Sequence, residues 1–587
     1  MIVLRDWAWD ADYAKWSLHC RLAPDVDGTA HIPAMSNWYV LADPEYPWGT
    51  ITFCPANDGG LVATFQHQHH NGTGPGDRPW RAGDICLDTT VRVLDRAGDD
   101  DEPYTAHERL RWRFRRALDW LDAAARGILT LPGEPFELPE FPTVAGARTV
   151  AYAEGRDSYA VWDALPDRAG NVDLVRVREG IYAVARFHGT GGRSVFEPHW
   201  GSALSPEVDG ATRGIWLRLD AVPVLAPWQA PSTWGELRAV AREQGCDIDT
   251  LLRANIRTLR DDQEHIALLG FPIPERVGET PTQLHWQALL LPPLTPARGS
   301  ATYPGFRPNE DGKWMRDRMT ILTNERSLTW LVAENWHPDQ LASRGRLPVN
   351  VTTGSVLIIG TGALGSALAE MLVRAGWYHA LLLDGDRLQA GNLVRHTLGL
   401  RELGEYKASA VAARLNLASP HATIEALDAN FPPRDGSTWE QIRRCRVVID
   451  TTGSDAVLQS LAVFPWEGSK LFFSVSLGIE ARRLYCFTAM GECFPHAIFR
   501  GEIGPWLLRD REEREAPELP REGIGCWHPV FPARADDIWL FASLAAKHLT
   551  ERITARQIRP TLAVFERFNE RGMLAGVRKI DGPGARD

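Results

Sequence analysis

The chain lacks paired cysteines. Its eight cysteines are scattered over 587 residues without a CxxC pair. That spacing argues against a four-cysteine zinc site and a disulfide framework, and fits free thiols in a reducing cytoplasm. A basic surplus is missing as well. Lysine and arginine number 64 against 75 acids, a formal net charge of -11, so direct binding to nucleic acid through its phosphates is not expected. No apolar run reaches the ~18 residues of a membrane helix. Arg5 and Asp6 interrupt the opening "MIVLRDWAWDADY" before an apolar core develops, so no signal peptide is expected. What is present is an ordinary soluble composition, 44% hydrophobic and 24% charged. At this length several domains are expected rather than one core.

Texture divides the chain into three. Residues 1–135 open with strand-like runs, "TITFCPA" and "LVATFQHQ", and close on "HERLRWRFRRALDWLDAAARGIL". There Leu110, Phe114, Leu118, Leu121 and Ile128 form one apolar helical stripe, with arginines on the other face. The proline-rich "LPGEPFELPEFPTV" reads as a linker. Residues 136–335 hold this linker and an α+β domain of unassigned role. Its strand-like "IYAVARFHG" and "GIWLRLDAV" alternate with helix-like "TWGELRAVAREQ" and "DIDTLLRANIRTLRDDQEHIALL", and "LLLPPLTPARGSATYPGFRPNEDGKW" reads as a surface excursion. In residues 336–587 short apolar strands alternate with helices, which implies a parallel sheet covered on both faces. The whole is a multidomain α/β chain.

"SVLIIGTGALGSALAEML" sets Gly360, Gly362 and Gly365 between a strand and a helix. Such glycines permit a tight turn and close backbone approach, and the helix N-terminus offers free N–H groups to phosphate. Asp384 ends the next strand, where a carboxylate accepts ribose hydroxyls. A nicotinamide-dependent oxidoreductase fits these residues equally well. The following segment adds Asp386, Asn392, Arg395 and Lys407. Hydride transfer has no use for two cations beside the phosphates. Cleavage between the α- and β-phosphates of ATP does, because charge builds on the departing pyrophosphate.

These residues, with "GNLVRH" and "GEYKA", resemble the adenylation domain of the ThiF, MoeB and ubiquitin-activating enzyme superfamily. The resemblance implies a Rossmann-like fold, ATP on the glycine loop, ribose on Asp384, and phosphates on Asn392, Arg395 and Lys407. It implies a homodimer in which an arginine, Arg344 or Arg346 in "LASRGRLP", serves the partner's ATP. The family's magnesium aspartate falls on Gly453 in "VVIDTTGSDAV", so either Asp450 or Asp455 is expected to hold Mg²⁺, with Asp450 the first choice, or the metal is bound in another way. A mobile catalytic cysteine is matched by Cys526 in "LPREGIGCWHPVFPARADDIWLF", whereas Cys486 and Cys493 read as structural.

The N-terminal region resembles a ubiquitin-conjugating enzyme. "RAGDICLDTT" alone reads as a buried strand end, yet "GDICLD", "DPEYPWGTITFCP" and the "HQHHNG" turn are similar to that family's catalytic stretch, strand segment and His-Pro-Asn turn. The match implies Cys86 as a second thioester cysteine and Asn71 as the oxyanion support. The motif proline is His70 here, and "TGPGDRPW" separates Asn71 from the cysteine stretch. Together the two halves resemble the fused bacterial enzymes of CBASS anti-phage operons. That implies a partner protein with a C-terminal glycine, a cGAS-like nucleotidyltransferase or a ubiquitin-like protein, and target lysines. Sulfur-carrier activation leaves Cys86 without a role, and a scaffold would tolerate its loss.

Overall fold

The computed structural model describes residues 1–74, 76–88, 102–103, 105–205, 211–297, 303–513, 521–522, 528–529, 531–555, 558–571, 573–580 and 582. They form two compact units, 1–198 with 208–337, and 199–207 with 338–587.

The first unit begins with an antiparallel meander of β1 (Ile2–Asp10), β2 (Lys15–Leu22), β3 (Ser36–Ala42) and β4 (Ile51–Pro55). Alternate residues of β2, Leu18, Cys20 and Leu22, are buried, and they pack with Trp38, Val40 and Phe53 against α1 (Ala106–Arg126). The helix contributes Phe114, Ala117, Trp120, Leu121 and Ala124, and stops at Gly127, whose φ of 68° closes it in the left-handed region. Not all its arginines face water. Arg109 and Arg113 are buried and grip Glu102, with Nε–Oε1 distances of 2.7 and 2.9 Å. The run "LVATFQHQ" forms turns rather than a strand, with one antiparallel bridge at Gln68.

The middle of the unit is an eight-stranded mixed sheet, built from β5 (Thr149–Tyr152), β6 (Ala169–Arg178), β7 (Ile181–His188), β8 (Ser194–Phe196), β9 (Thr212–Arg218), β10 (His265–Ile273), β11 (Gln283–Leu291) and β12 (Val332–Asn335). Its order is β11-β10-β9-β6-β7-β5-β12, with β8 beside β7. Helices α2 (Arg156–Ala164), α3 (Trp234–Glu243), α4 (Ile248–Asn255) and α5 (Glu310–Arg316) join it. The sequence reads "HIALL" as helix, but it opens β10. A short apolar run carries no period of its own, and pairing with β9 and β11 decides the outcome. The supposed surface excursion is anchored inward, since Leu294, Thr295 and Trp314 are all buried.

The second unit opens with single-turn helices α6 (Pro338–Leu341) and α7 (Val349–Thr352). A doubly covered sheet follows, containing β13 (Val356–Ile359), α8 (Ala363–Arg374), β14 (His379–Leu383), α9 (Lys407–Asn416), β15 (Thr423–Leu427), α10 (Trp439–Arg444), β16 (Val447–Asp450), α11 (Asp455–Val463), β17 (Lys470–Leu477), β18 (Arg483–Gly491) and α12 (His496–Glu512). The pair β19 (Arg521–Glu522) and β20 (His528–Pro529), then α13 (Ala535–Thr554), β21 (Thr561–Glu570) and β22 (Met573–Ile580), complete it. The order is β15-β14-β13-β16-β17-β18-β21-β22, parallel from β15 to β17 and antiparallel beyond. All four residues of β13 are buried because alternate side chains enter opposite cores. Val356 and Ile358 pack with α8 and α13, while Leu357 and Ile359 pack with α10, α11 and α12. Residues 199–205 belong to this unit, where Gly201 and Ser202 donate to the carbonyls of Pro420 and Ala422. Among the described residues, no helix is long and apolar enough to cross a membrane.

Candidate functional sites

The strand order reverses between β14 and β16, on either side of β13, and a cavity of about 490 Å³ opens at the C-terminal ends of β13 and β16. Open parallel sheets bind ligands at this kind of switch point. The three glycines divide the labour. Gly360 sits at φ 87°, the left-handed turn out of β13. Gly362 caps α8, and a Cβ there would meet nothing within 4 Å, which leaves room above the helix N-terminus. At Gly365 a Cβ would lie 2.0 Å from the Gly360 carbonyl oxygen and 2.4 Å from Thr451 Oγ1, so only glycine lets α8 approach the strands.

Asp384 braces this loop. Its Oδ2 accepts from the Thr361 N–H at 2.7 Å and the Thr361 hydroxyl at 3.1 Å, and its Oδ1 accepts from the Asp386 N–H at 2.9 Å. Asn392, Arg395 and Lys407 all line the cavity. Lys407 starts α9 and pairs with Asp386 at 3.0 Å. Arg395 donates to the Phe531 carbonyl, and Asn392 accepts from the Gln389 N–H at 3.0 Å.

His396, which the sequence reading missed, also lines the cavity. Its Nδ1 accepts from the Leu398 N–H at 3.1 Å, so Nε2 carries the proton and donates to the Thr361 carbonyl at 2.7 Å. Burial holds its pKa below the ordinary value, which keeps the ring neutral beneath the loop. Thr451, Thr452, Ser474 and Ser476 complete the polar side, while Leu477, Phe499, Ile503 and Leu507 make the opposite wall apolar. Nothing in the periodicity of α12 signals that its residues would face a polar site.

The expected metal ligand stands elsewhere. Asp450 is 1% exposed, and its carboxylate is taken by the Thr452 N–H at 3.1 Å, the Thr452 hydroxyl at 2.6 Å and the Ser474 hydroxyl at 2.9 Å. It fastens β16 to β17. Asp455 lines the cavity and pairs with Arg500. Among the described residues, no three His, Cys, Asp or Glu side chains converge as a metal cage. One carboxylate together with triphosphate oxygens and water is a usual magnesium environment, so this donor set fits an ion that arrives with a nucleotide.

Arg344 and Arg346 are exposed and do not line the cavity. Arg346 pairs with Asp339 at 2.6 Å and lies near Gly376, beyond the C-terminal end of α8. The glycine loop is at the other end of that helix, roughly 18 Å away at 1.5 Å per residue. Cys526 lies outside the described residues. Cys486 is buried in β18, but Cys493, expected to be structural, is exposed in the turn that follows.

In the first unit Cys86 is exposed rather than buried. The other cysteines there, Cys20, Cys54 and Cys246, are buried, and burial pushes Cys20 and Cys54 up to about 12. Asn71 is 1% exposed. Its Nδ2 donates both protons, to the carbonyls of Leu61 at 2.8 Å and Ala63 at 2.9 Å, and its Oδ1 accepts from Arg81 Nε at 3.1 Å. In this arrangement the amide expected to meet an oxyanion has no proton left to offer. It holds the turn.

A nucleotide loop at the switch point, with cations gathered over it, defines the ThiF class of adenylating enzymes, and residues 349–568 match the ThiF family model. Residues 127–336 match the Cap2 central linker domain. The chain is 34% identical over 559 residues to the ATP-dependent ubiquitin transferase-like protein Cap2 of Enterobacter hormaechei subsp. hoffmannii, covering 94% of this chain and 91% of that protein. It belongs to the Cap2 family of ATP-dependent ubiquitin transferase-like proteins. Over a shorter stretch the chain is similar to ubiquitin-like modifier-activating enzyme 5 of Bombyx mori, 35% identical over 125 residues (21% of this chain, 30% of that one). It is also similar to the sulfur carrier protein adenylyltransferase of Thermus thermophilus, 28% identical over 154 residues (26% of this chain, 53% of that one). The chain is thus an adenylyltransferase of the ubiquitin-activating type, built for ATP-dependent activation.

Proposed function

We propose that the chain both activates and conjugates the C-terminus of a partner protein. The partner's terminal carboxylate attacks the α-phosphate, the bond to the β-phosphate breaks, and pyrophosphate leaves an acyl-adenylate. A thiolate at Cys526 attacks the acyl carbon and releases AMP. Cys86 takes the acyl group by thioester exchange, and the Cys526 thiol returns. A lysine ε-amine then attacks, an amide forms, and Cys86 is freed. The N-terminal sheet and helix act as a ubiquitin-conjugating-like module in this reading.

The nucleotide site divides into roles. The helix N-terminus at Gly362 receives phosphate, Asp384 holds the loop against the ribose, and Asn392, Arg395 and Lys407 oppose the charge gathering on pyrophosphate. When bound, Mg²⁺ supplies further neutralisation of the phosphates, and Asp455 is the carboxylate placed to hold it. The position of Arg346 beyond the far end of α8 favours service to a second copy's site, so the active form is a homodimer. By its resemblance to CBASS proteins, the partner is a cGAS-like nucleotidyltransferase whose C-terminal glycine is conjugated in a cytoplasmic anti-phage response. A separate ubiquitin-like modifier is the second candidate.

One observation carries the reading. Cys86 is an exposed thiol in the unit that lacks the nucleotide site, and adenylation alone gives it no work. Incubation with ATP and a glycine-tailed partner, followed by non-reducing electrophoresis, tests it. Adducts should form that dithiothreitol removes. Cys526→Ser should abolish them at both cysteines, Cys86→Ser should leave the Cys526 adduct, and Cys493→Ser should change nothing. Conjugation that persists in Cys86→Ser would refute the second thioester, and loss of loading in Cys493→Ser would move the first thiol there.

A further inference from the structure

The surroundings of Cys86 contain more than a thiol. The Cys86 N–H donates to the His67 carbonyl at 2.7 Å, the His69 N–H donates to the Asp84 carbonyl at 3.0 Å, and Gln68 opposes Ile85 in an antiparallel bridge. Residues opposite one another in such a pair share a face, and their neighbours point the other way. Burial follows that alternation. Gln68 and Ile85 are buried, whereas His67, His69 and Cys86 are exposed. Thiol, two imidazoles and the half-buried Asp84 carboxylate therefore lie on one face.

Two further carboxylates come from the proline-rich segment after α1. Glu137 accepts from the His67 N–H at 3.1 Å and lies 3.1 Å from His67 Nδ1, steadying a residue at φ 54°. Glu140 accepts from the His70 N–H and lies 3.2 Å from His69 Nδ1. The groups facing His69 are thus Glu140, Asp84 and Glu137. The Glu140 hydrogen bond, foremost, raises its pKa to about 9 against the effect of burial, so the ring is a cation at neutral pH. Glu140 accepts the hydrogen bond of Nδ1–H, which leaves Nε2–H as the outward donor.

We propose that His69, clamped by Glu140, supplies the donor that stabilises the oxyanion when an amine attacks an acyl group carried on Cys86, the duty Asn71 cannot perform. The proposal rests on the thioester reading of Cys86. The amine nitrogen bonds to the acyl carbon, the carbonyl electron pair moves to oxygen against Nε2–H, and the C–S bond then breaks. The pair returns to the carbonyl, the sulfur leaves as thiolate, and the surplus ammonium proton goes to water. Glu140 is the positioning residue. The donor's charge concentrates its effect at the transition state rather than on the neutral thioester.

The test uses the full chain with Cys493 and Cys526 replaced by serine. Cys86 is charged from a glycine-terminated peptide thioester by thiol exchange and then discharged to free lysine in single turnover. His69→Ala should slow discharge about 10²-fold while leaving the yield of charged Cys86 unchanged. Glu140→Gln should slow discharge too, and its rate should fall away at a lower pH than the parent's as pH is raised, because losing the carboxylate lets the His69 pKa drop from about 9. Equal discharge rates and pH profiles in all three proteins would overturn the role of His69 while the thioester reading stands. Loss of charging together with discharge in His69→Ala would mark the ring as merely structural. A parent chain whose Cys86 takes no acyl group, or passes none to lysine, would remove both readings.

Discussion

The nucleotide pocket and the Cys86 patch are built in opposite ways. The pocket takes its backbone from strand ends and helix starts, and most of its polar residues fall within the 360–407 and 451–476 stretches. The functional groups of the Cys86 patch themselves lie in no strand or helix. They are held by one isolated bridge, by the Ile85 N–H donating to the Phe53 carbonyl of β4 at 3.1 Å, and by carboxylates about 70 residues from the two histidines in sequence. Local geometry fixes the first site, so it tolerates no side chain at Gly365. Long-range hydrogen bonds fix the second, so its properties are tunable from the segment that covers it.

The sharpest break in that comparison is Gly365→Ala. The added carbon meets a carbonyl oxygen at 2.0 Å, and backbone cannot swing aside. ATP–pyrophosphate exchange should fall below detection, with about 1–3 kcal/mol of stability lost from overpacking. Lysine discharge from peptide-charged Cys86 should persist. If discharge disappears as well, the two sites are not independent. Lys407→Ala comes next. It should slow pyrophosphate exchange about 10²–10³-fold with no loss of fold, because the side chain's ion pair is to exposed Asp386. Unchanged exchange would remove Lys407 from the phosphates.

The contrast also explains what was legible in the sequence. Gly360, Gly362 and Gly365 could be read together because a strand–turn–helix keeps sequence neighbours close in space, whereas Asp384 and Lys407 are legible only through their motifs. Asp450 could not be placed, since whether the last residue of a strand turns outward or is captured by Thr452 and Ser474 depends on the neighbouring strand. His396 carries no pattern beyond its motif, and the α12 wall carries none. At the other site "GDICLD" stood out, but the partners that define its chemistry, Glu137 and Glu140, lay in a segment whose prolines read as a linker. Helical spacing puts Arg109 and Arg113 on the wet face of α1, because it does not disclose a buried Glu102. The alternation of fully buried strands with helices was plain in residues 336–587, while "HIALL" in β10 had no period to read.

Asp450 and Asp455 separate a structural carboxylate from one that serves the cavity. Asp455→Asn should raise the Mg²⁺ concentration for half-maximal pyrophosphate exchange about tenfold or more, with the melting temperature unchanged, since its partner Arg500 is half exposed. Asp450→Asn should cost about 1 kcal/mol through weakened hydrogen bonds and leave the magnesium dependence alone. The opposite assignment of effects would return the metal to Asp450.

A second buried carboxylate is held differently, and here the two units diverge again. Asp450 has a donor on both oxygens. Glu154, 1% exposed beside β5, accepts the indole N–H groups of Trp162 and Trp286 on Oε1, each at 2.8 Å, while Oε2 has no hydrogen-bond partner. Burial pushes its pKa up to about 7, so between the ordinary carboxylate value and neutrality the folded chain keeps a proton that the unfolded chain has lost. By linkage, the stability this group contributes is full at pH values below the unfolded pKa and drains away as pH rises through about 7. The change is of the order of 2–4 kcal/mol across that window. Glu154→Gln is neutral throughout and keeps an oxygen for both indoles. Its unfolding midpoint, followed by tryptophan fluorescence from pH 5 to 8, should therefore lack most of the parent's decline. A decline of equal slope in the variant would mean that Glu154 enters the fold already ionised, its burial offset by a donor to Oε2 such as an ordered water.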